Sequence, residues 1–300
     1  MKYNVREGDY RTMGAVVHSD GVVFTFEGRK EQKCSIVLYE KKTGKIGKIP
    51  VPDTYYVGAL RSIMVMGIEP ASFDYNFEID GREETDPYAR RIIGREVWAE
   101  EARRPEEELP EGFVPERIKK QREKRNREKN RKLKSGFYFS DFAWKEEEGP
   151  RIKKEDMVIY KLHARGFTMG LKTKNPQKGT FEMVGHKLEY LKELGITSLL
   201  FLPVYEFEEF LQLDESKKEE HPANLVNYWG YTIGNYFAPK ASYLGAGHNP
   251  DSLKELIRKM HRMGLEFIAE FYFDKKVNPH LIIDAMRYCC LLYTSDAADD

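Results

Sequence analysis

The chain has 300 residues, 41% hydrophobic and 33% charged, which supplies apolar material for real cores and excludes both a disulfide miniprotein and a chain disordered throughout. Forty-nine basic residues balance forty-nine acidic ones, so the whole molecule exerts no long-range pull on phosphate backbones or anionic lipid. Met1 to Glu7 lack the apolar core of a signal peptide, and no run approaches the roughly 18 apolar residues of a membrane helix. With only Cys34, Cys289 and Cys290, these features predict a cytoplasmic protein with reduced thiols, no cofactor, and neither membrane nor nucleic acid as partner.

From Met13 to Asp80 short strands alternate with turns. Val22, Phe24 and Phe26 follow the turn signal Ser19-Asp20-Gly21, and Ile36 and Leu38 precede Thr43-Gly44. Phe73, Tyr75, Phe77 and Ile79 sit at period two with polar residues between them, which predicts one face in a core and the other in water. Several such strands in succession predict a small β-sandwich.

The next segment differs in kind. Arg117 to Lys134 holds eleven Lys or Arg against Glu123 and Glu128, after an acidic stretch from Glu100 to Glu111. Such a run could bind RNA or another polyanion. Without aromatic residues to stack on bases, and with i,i+4 pairs such as Glu123 with Arg127, it reads instead as a solvated helical or disordered insertion over 99–136.

After Trp144 the period changes. Met157–His163 predicts a buried strand, Val184, Leu188, Leu191 and Leu194 a helix stopping at Gly195, and Thr197–Leu202 a second strand closed by Pro203. Leu253, Leu256, Ile257 and Met260 predict another helix, Glu266–Tyr272 a third strand, and Pro279–Cys289 a last helix with Ile282, Ala285, Met286 and Cys289 on one face. Strands alternating with helices predict a parallel α/β arrangement.

Particular motifs then resemble known families. Tyr75 to Arg90, with Ile79-Asp80-Gly81 and Thr85-Asp86-Pro87-Tyr88-Ala89-Arg90, resembles the end of the family-48 carbohydrate-binding module, the β-sandwich that precedes the barrel in debranching and glycogen-branching enzymes. Phe142-Ala143-Trp144 and Ile159-Tyr160-Lys161-Leu162-His163-Ala164-Arg165-Gly166-Phe167-Thr168 resemble the linker and first barrel strand of glycoside hydrolase family thirteen, in its pullulanase and isoamylase branch. Lys178-Gly179-Thr180-Phe181, Leu202-Pro203-Val204-Tyr205-Glu206-Phe207 and Asn227-Tyr228-Trp229-Gly230-Tyr231 continue the likeness, which covers about 14–95 and 137–288.

The resemblance implies a multidomain chain: an immunoglobulin-like, carbohydrate-binding β-sandwich over 1–98, the charged insertion over 99–136, and the first three βα units of an incomplete (β/α)8 TIM barrel over 137–288. It implies α-glucan as partner, and retaining hydrolysis by two carboxylates about 5 to 5.5 Å apart, with cleavage of α-1,6 links in glycogen, starch or pullulan. It makes Tyr231, with Trp229 beside it, the platform on which a sugar ring stacks at the bond to be cut. In the family the nucleophile, the acid/base and a third acidic residue belong to strands four, five and seven, so no catalytic residue is expected in this chain. Asp251, at a helix N-cap, and Glu266 and Glu270 match no family role.

There are also departures. Lys275 stands where the family's sugar-binding histidine would be, and Thr232 where an Asp follows the Gly-Tyr pair. They leave open a catalytically inactive α-glucan-binding protein of the same fold. His163, ending the first strand, either orders the sugar site or is a hydrogen-bonded core histidine. His248 and His261 lack partners at ligand spacing, so no metal is expected. Residues 289–300 break the pattern and read as a non-native tail.

Overall fold

The structure, a computed structural model, describes residues 3–99, 133–144, 149–172, 177–210 and 226–293. Eleven strands come first: β1 (Asn4–Glu7), β2 (Gly14–His18), β3 (Gly21–Glu27), β4 (Cys34–Glu40), β5 (Ile46–Pro50), β6 (Tyr56–Val57), β7 (Leu60–Met66), β8 (Phe73–Ile79), β9 (Arg82–Glu84), β10 (Ile92–Ile93) and β11 (Lys134–Gly136). They form two antiparallel sheets, one ordered β1-β7-β3-β2 with β6 on β7, the other β10-β11-β8-β4-β5 with β9 on β8. The period-two residues face each other between them: Val22, Phe24, Phe26, Ile63 and Val65 share one core with Ile36, Leu38, Tyr75 and Phe77. Phe26 stacks on Phe77 at 4.3 Å and Phe24 meets Tyr75 edge-on at 5.2 Å, geometries that aromatic quadrupoles favour. The β2–β3 hairpin pairs His18 with Gly21, and Gly21 is required because a Cβ there would lie 2.2 Å from the Val65 carbonyl oxygen.

Two expectations are corrected here. The polar face of β8 does not meet water: Asp74 and Asn76 are buried, Lys41 pairs with Asp74 at 3.4 Å, and Asn76 Nδ2 donates to Glu83 and to the Leu133 carbonyl, both at 2.8 Å. Part of that cover, the Leu133 carbonyl, comes from the far end of the charged segment. β11 pairs with both β10 and β8, and Phe137 lies in the core between the sheets. Residues 133–137 therefore pack with the N-terminal sheets, whereas a boundary drawn at 136 on composition divides them. Residues 100–132 lie outside the described residues.

The remaining elements are β12 (Ile159–Leu162), α1 (Gly166–Met169), α2 (Phe181–Gly185), α3 (Leu188–Glu193), β13 (Ser198–Phe201), β14 (Tyr205–Phe207), β15 (Gly234–Pro239), α4 (Ser252–Arg262), β16 (Glu266–Ala269) and α5 (Pro279–Tyr293). β12, β13 and β16 make a parallel sheet in that order, with Ile159 opposite Ser198 and Ser198 opposite Glu266. Leu188, Leu191, Leu199, Phe201, Leu256, Ile257 and Met260 form its core. The single helix predicted through Leu194 is two short ones, because Lys187, at φ −106° and ψ 0°, leaves helical geometry and its amide donates three residues back, to the Val184 carbonyl at 2.8 Å. β12 is not a buried strand: Ile159 is 51% exposed, since β12 is an outer strand of this sheet. The predicted third strand stops at Ala269. β14 and β15, which the sequence did not announce, form an antiparallel arm. α5 runs through Tyr288 without a break, and Cys289 is buried, so packing continues past the point where the sequence pattern ends; residues 294–300 lie outside the described residues.

The Thr85–Arg90 motif joins the two halves. Tyr88 Oη donates to Asp284 at 2.9 Å, Asn235 Nδ2 donates to the Asp86 carbonyl at 2.7 Å, and the Arg90 guanidinium lies 5.0 Å from the Tyr288 ring centre.

Candidate functional site

The C-terminal ends of β12, β13 and β16 lead into the residues that the sequence singles out. The loop Asn227 to Tyr231 is built around a buried amide. Asn227 Nδ2 donates to the Glu208 carbonyl at 3.1 Å, Oδ1 accepts from the Gly230 amide at 3.1 Å, and its own N–H donates to the Glu209 carbonyl at 2.7 Å. Gly230 has φ +84°, and a Cβ there would sit 2.8 Å from the Phe207 ring, so only glycine fits the turn. Tyr205 Oη lies 3.1 to 3.3 Å from the carbonyls of Gly230, Thr232 and Tyr272. A loop tied this firmly still leaves Trp229 55% and Tyr231 40% exposed.

His163 is buried beneath this loop. Its Nδ1 accepts from the Gly166 amide at 2.8 Å, which assigns the proton to Nε2, 2.7 Å from the Tyr228 carbonyl. The imidazole stacks on Tyr228 at 4.3 Å and meets Trp229 edge-on at 6.4 Å. Burial lowers its pKa, and the charge of Arg165 adds to this against the hydrogen bond to Tyr228. The ring supports the loop through these hydrogen bonds and the stack on Tyr228.

Tyr231 is held differently. Its Oη donates to Glu270 Oε1 at 3.0 Å and accepts from Lys161 Nζ at 3.2 Å, while Lys161 pairs with Glu270 Oε2 at 2.7 Å. Tyr272 meets its ring edge-on at 6.3 Å. Lys275 is exposed and makes no hydrogen bond or ion pair among the described residues. The structure thus brings His163 and Trp229 into one aromatic group and places Tyr231 in a second, polar one, with Lys275 in neither.

Sequence reasoning missed Trp98. It stacks on Tyr243 at 5.7 Å, meets His163 at 6.0 Å and Tyr228 at 6.3 Å edge-on, and lies under the Arg165 guanidinium at 5.2 Å. No periodic signal surrounds it; a tryptophan at the edge of a charged segment was the available hint. Behind it, Lys240 Nζ lies 2.5 Å from both Glu206 and Glu209, and Arg95 pairs with Glu206 and Glu208. Burial opposes the Arg95 charge, but the three carboxylates outweigh it and raise its pKa.

The other carboxylates weighed from sequence have structural partners. Asp251 makes no side-chain cap; it accepts from the Tyr138 and Ser140 hydroxyls and pairs with Lys254 at 3.1 Å. Glu266 accepts from Ser198 Oγ at 3.1 Å at the opposite, N-terminal end of the sheet. Among the described residues there is no group of three or more His, Cys, Asp or Glu that could hold a metal ion, and no helix long and apolar enough to cross a membrane. A cleft of about 740 Å³ lies away from the aromatic loop, between the N-terminal sheets and the start of α5, with Arg29, Arg82, Tyr88 and Asn278 on its walls.

Residues 156–281 match the Alpha-amylase family, described as alpha amylase, catalytic domain. The chain is 31% identical over 142 residues to isoamylase SU1, chloroplastic, of Zea mays, covering 45% of this chain and 17% of that one. It is 27% identical over 244 residues to isoamylase 3, chloroplastic, of Oryza sativa subsp. japonica, covering 78% and 28%. Among solved structures it resembles the GBS pullulanase SAP in complex with maltotetraose, with TM-score 0.62 and 25% identity over 91% of this chain and 35% of that one. The chain thus spans less than a third of the length of the curated relatives it matches.

Proposed function

We propose that this chain is the N-terminal part of an α-glucan debranching hydrolase of the isoamylase and pullulanase type. In this reading the two antiparallel sheets are a family-48 carbohydrate-binding sandwich, and β12, β13 and β16 are the first three strands of a (β/α)8 barrel. The observation that carries the proposal is the exposure of Trp229 and Tyr231 on a loop fixed by buried Asn227, at the C-terminal ends of parallel strands. Barrel enzymes bind substrate at that end, and the C–H-rich face of a pyranose matches an exposed aromatic ring. The relatives' names and the alpha-amylase match over 156–281 support the same substrate class.

In mechanism, Tyr231 stacks on the sugar at the scissile bond and Trp229 extends the platform. Neutral His163 keeps the loop in place without taking or giving a proton, and Lys275 supplies an N–H donor where the family resemblance implies a histidine. Hydrolysis with retention needs a nucleophilic carboxylate and an acid/base partner about 5 to 5.5 Å apart; we assign neither role within this chain and place both on later strands of a longer polypeptide. A second reading, a glucan-binding protein without hydrolysis, draws on Lys275 and Thr232.

Titration of the 300-residue chain with maltohexaose, followed by tryptophan fluorescence, tests the shared core of both readings. A saturable change is expected, weakened at least tenfold in Trp229→Ala. A folded chain that shows no saturable response overturns the proposal. Hydrolysis by a polypeptide extended through the later strands then separates the two readings.

A further inference from the structure

We propose that Lys161 and Glu270 are positioning residues that fix the ring of Tyr231 before a ligand arrives, a role that rests on reading Tyr231 as a sugar platform. Tyr231 sits on an exposed loop, where two side-chain torsions are otherwise free. Its hydroxyl closes a three-membered polar ring: Tyr231 Oη to Glu270 Oε1 at 3.0 Å, Lys161 Nζ to Tyr231 Oη at 3.2 Å, and Lys161 Nζ to Glu270 Oε2 at 2.7 Å. Lys161 belongs to β12 and Glu270 follows β16 directly, its amide donating to the Phe201 carbonyl at 3.0 Å. Both tethers therefore start from the parallel sheet, while the ring they hold belongs to a loop. Fixing the ring in advance removes part of the ordering cost of binding.

The polar ring also decides what the ligand meets. Since the Tyr231 proton is committed to Glu270 and a lone pair to Lys161, the residue offers its face and not its hydroxyl. Lys161 remains 46% exposed, so spare ammonium protons border that face, while Glu270 Oε2 is enclosed beside Lys161. A flat apolar surface edged by hydrogen-bond donors fits an uncharged polyhydroxylated ring, the chemistry of a glucosyl unit. An exposed ion pair adds little to fold stability, so the two residues are distinguishable from structural ones: their loss changes binding and leaves melting in place.

The test uses the 300-residue chain, maltohexaose affinity, thermal melting and the ¹⁹F resonance of 3-fluorotyrosine at position 231, assigned by its disappearance in Tyr231→Phe. Lys161→Met and Glu270→Ala are expected to weaken maltohexaose binding about three- to tenfold with melting unchanged. Glu270→Gln, which keeps an acceptor, loses less, and Tyr231→Phe combined with Glu270→Ala binds no more weakly than Tyr231→Phe alone. The Tyr231 resonance shifts or broadens in Glu270→Ala. If Tyr231→Ala loses binding but Lys161→Met and Glu270→Ala do not, the positioning role is overturned and the sugar platform stands. If the parent chain binds no maltohexaose, the platform reading falls and the resonance decides alone: a change in Glu270→Ala supports the tether, and an unchanged line overturns it.

Discussion

Lys240 has no exposed surface, and its ammonium lies between Glu206 and Glu209 with the Phe207 ring 4.7 Å away. Removing one partner from a buried ion network strands the others in a medium of low dielectric, at a cost of about 3 to 5 kcal/mol. Lys240→Met is therefore expected to lower the unfolding free energy by that amount in urea titrations, and Lys240→Met with Glu206→Gln and Glu209→Gln to recover part of it. Asp86 offers a second residue-scale test. Burial pushes its carboxyl up to about 6, outweighing hydrogen bonds from Tyr75 Oη at 2.6 Å and the Tyr88 amide at 2.8 Å. Because the folded state holds this proton more tightly than the unfolded chain, the contribution is complete below about pH 4 and is lost as the pH rises through 6. The loss is roughly 3 kcal/mol. Urea unfolding of Asp86→Asn at pH 4.5 and 7 is expected to show a smaller fall in stability across that interval than the parent; equal falls would remove Asp86 as the cause.

At the scale of elements, what was legible followed from local pattern. Period-two residues such as Phe73 to Ile79 and helical spacing such as Leu253 to Met260 announce their faces because one neighbour shell decides burial. What was illegible depended on partners distant in sequence. β11 is three residues long and rises out of a basic run, so nothing local marks it as the neighbour of β8, and β8's buried Asp74 and Asn76 take partners from β11, Lys41 and Glu83, all outside that strand. The β14–β15 arm was hidden likewise, its strands separated by the segment outside the described residues. The same loop motif that revealed Trp229 and Tyr231 could not reveal Lys161 and Glu270, whose relation to Tyr231 exists only once three elements meet. A chain of residues 1–98 lacks β11 and Phe137, which is buried in the intersheet core. It is expected to melt at a lower temperature than a chain of residues 1–137, by calorimetry; equal melting would show that β11 adds nothing to the sheet.

At the scale of the whole molecule, two cores are fastened by Tyr88, Arg90 and Asn235, and among the described residues no further strand pairs with the outer edges of the parallel sheet at β12 and β16. Ile159 and Tyr160 on β12 and Ile283 and Met286 on α5 are exposed apolar side chains, and open edges beside apolar surface pair with other chains. Light scattering at rising concentration is expected to show association of the 300-residue chain. A monodisperse monomer at all concentrations would count against those edges pairing with other chains. The proposed glucan site was legible as a motif and not as a cavity, since Trp229 and Tyr231 are exposed on their loop and neither lines the 740 Å³ cleft. The most direct measurement is therefore a crystal structure of the chain with maltotetraose. The account predicts a glucosyl ring stacked on Tyr231 with Trp229 alongside; sugar bound only in the cleft between the N-terminal sheets and α5, with Tyr231 bare, would contradict it.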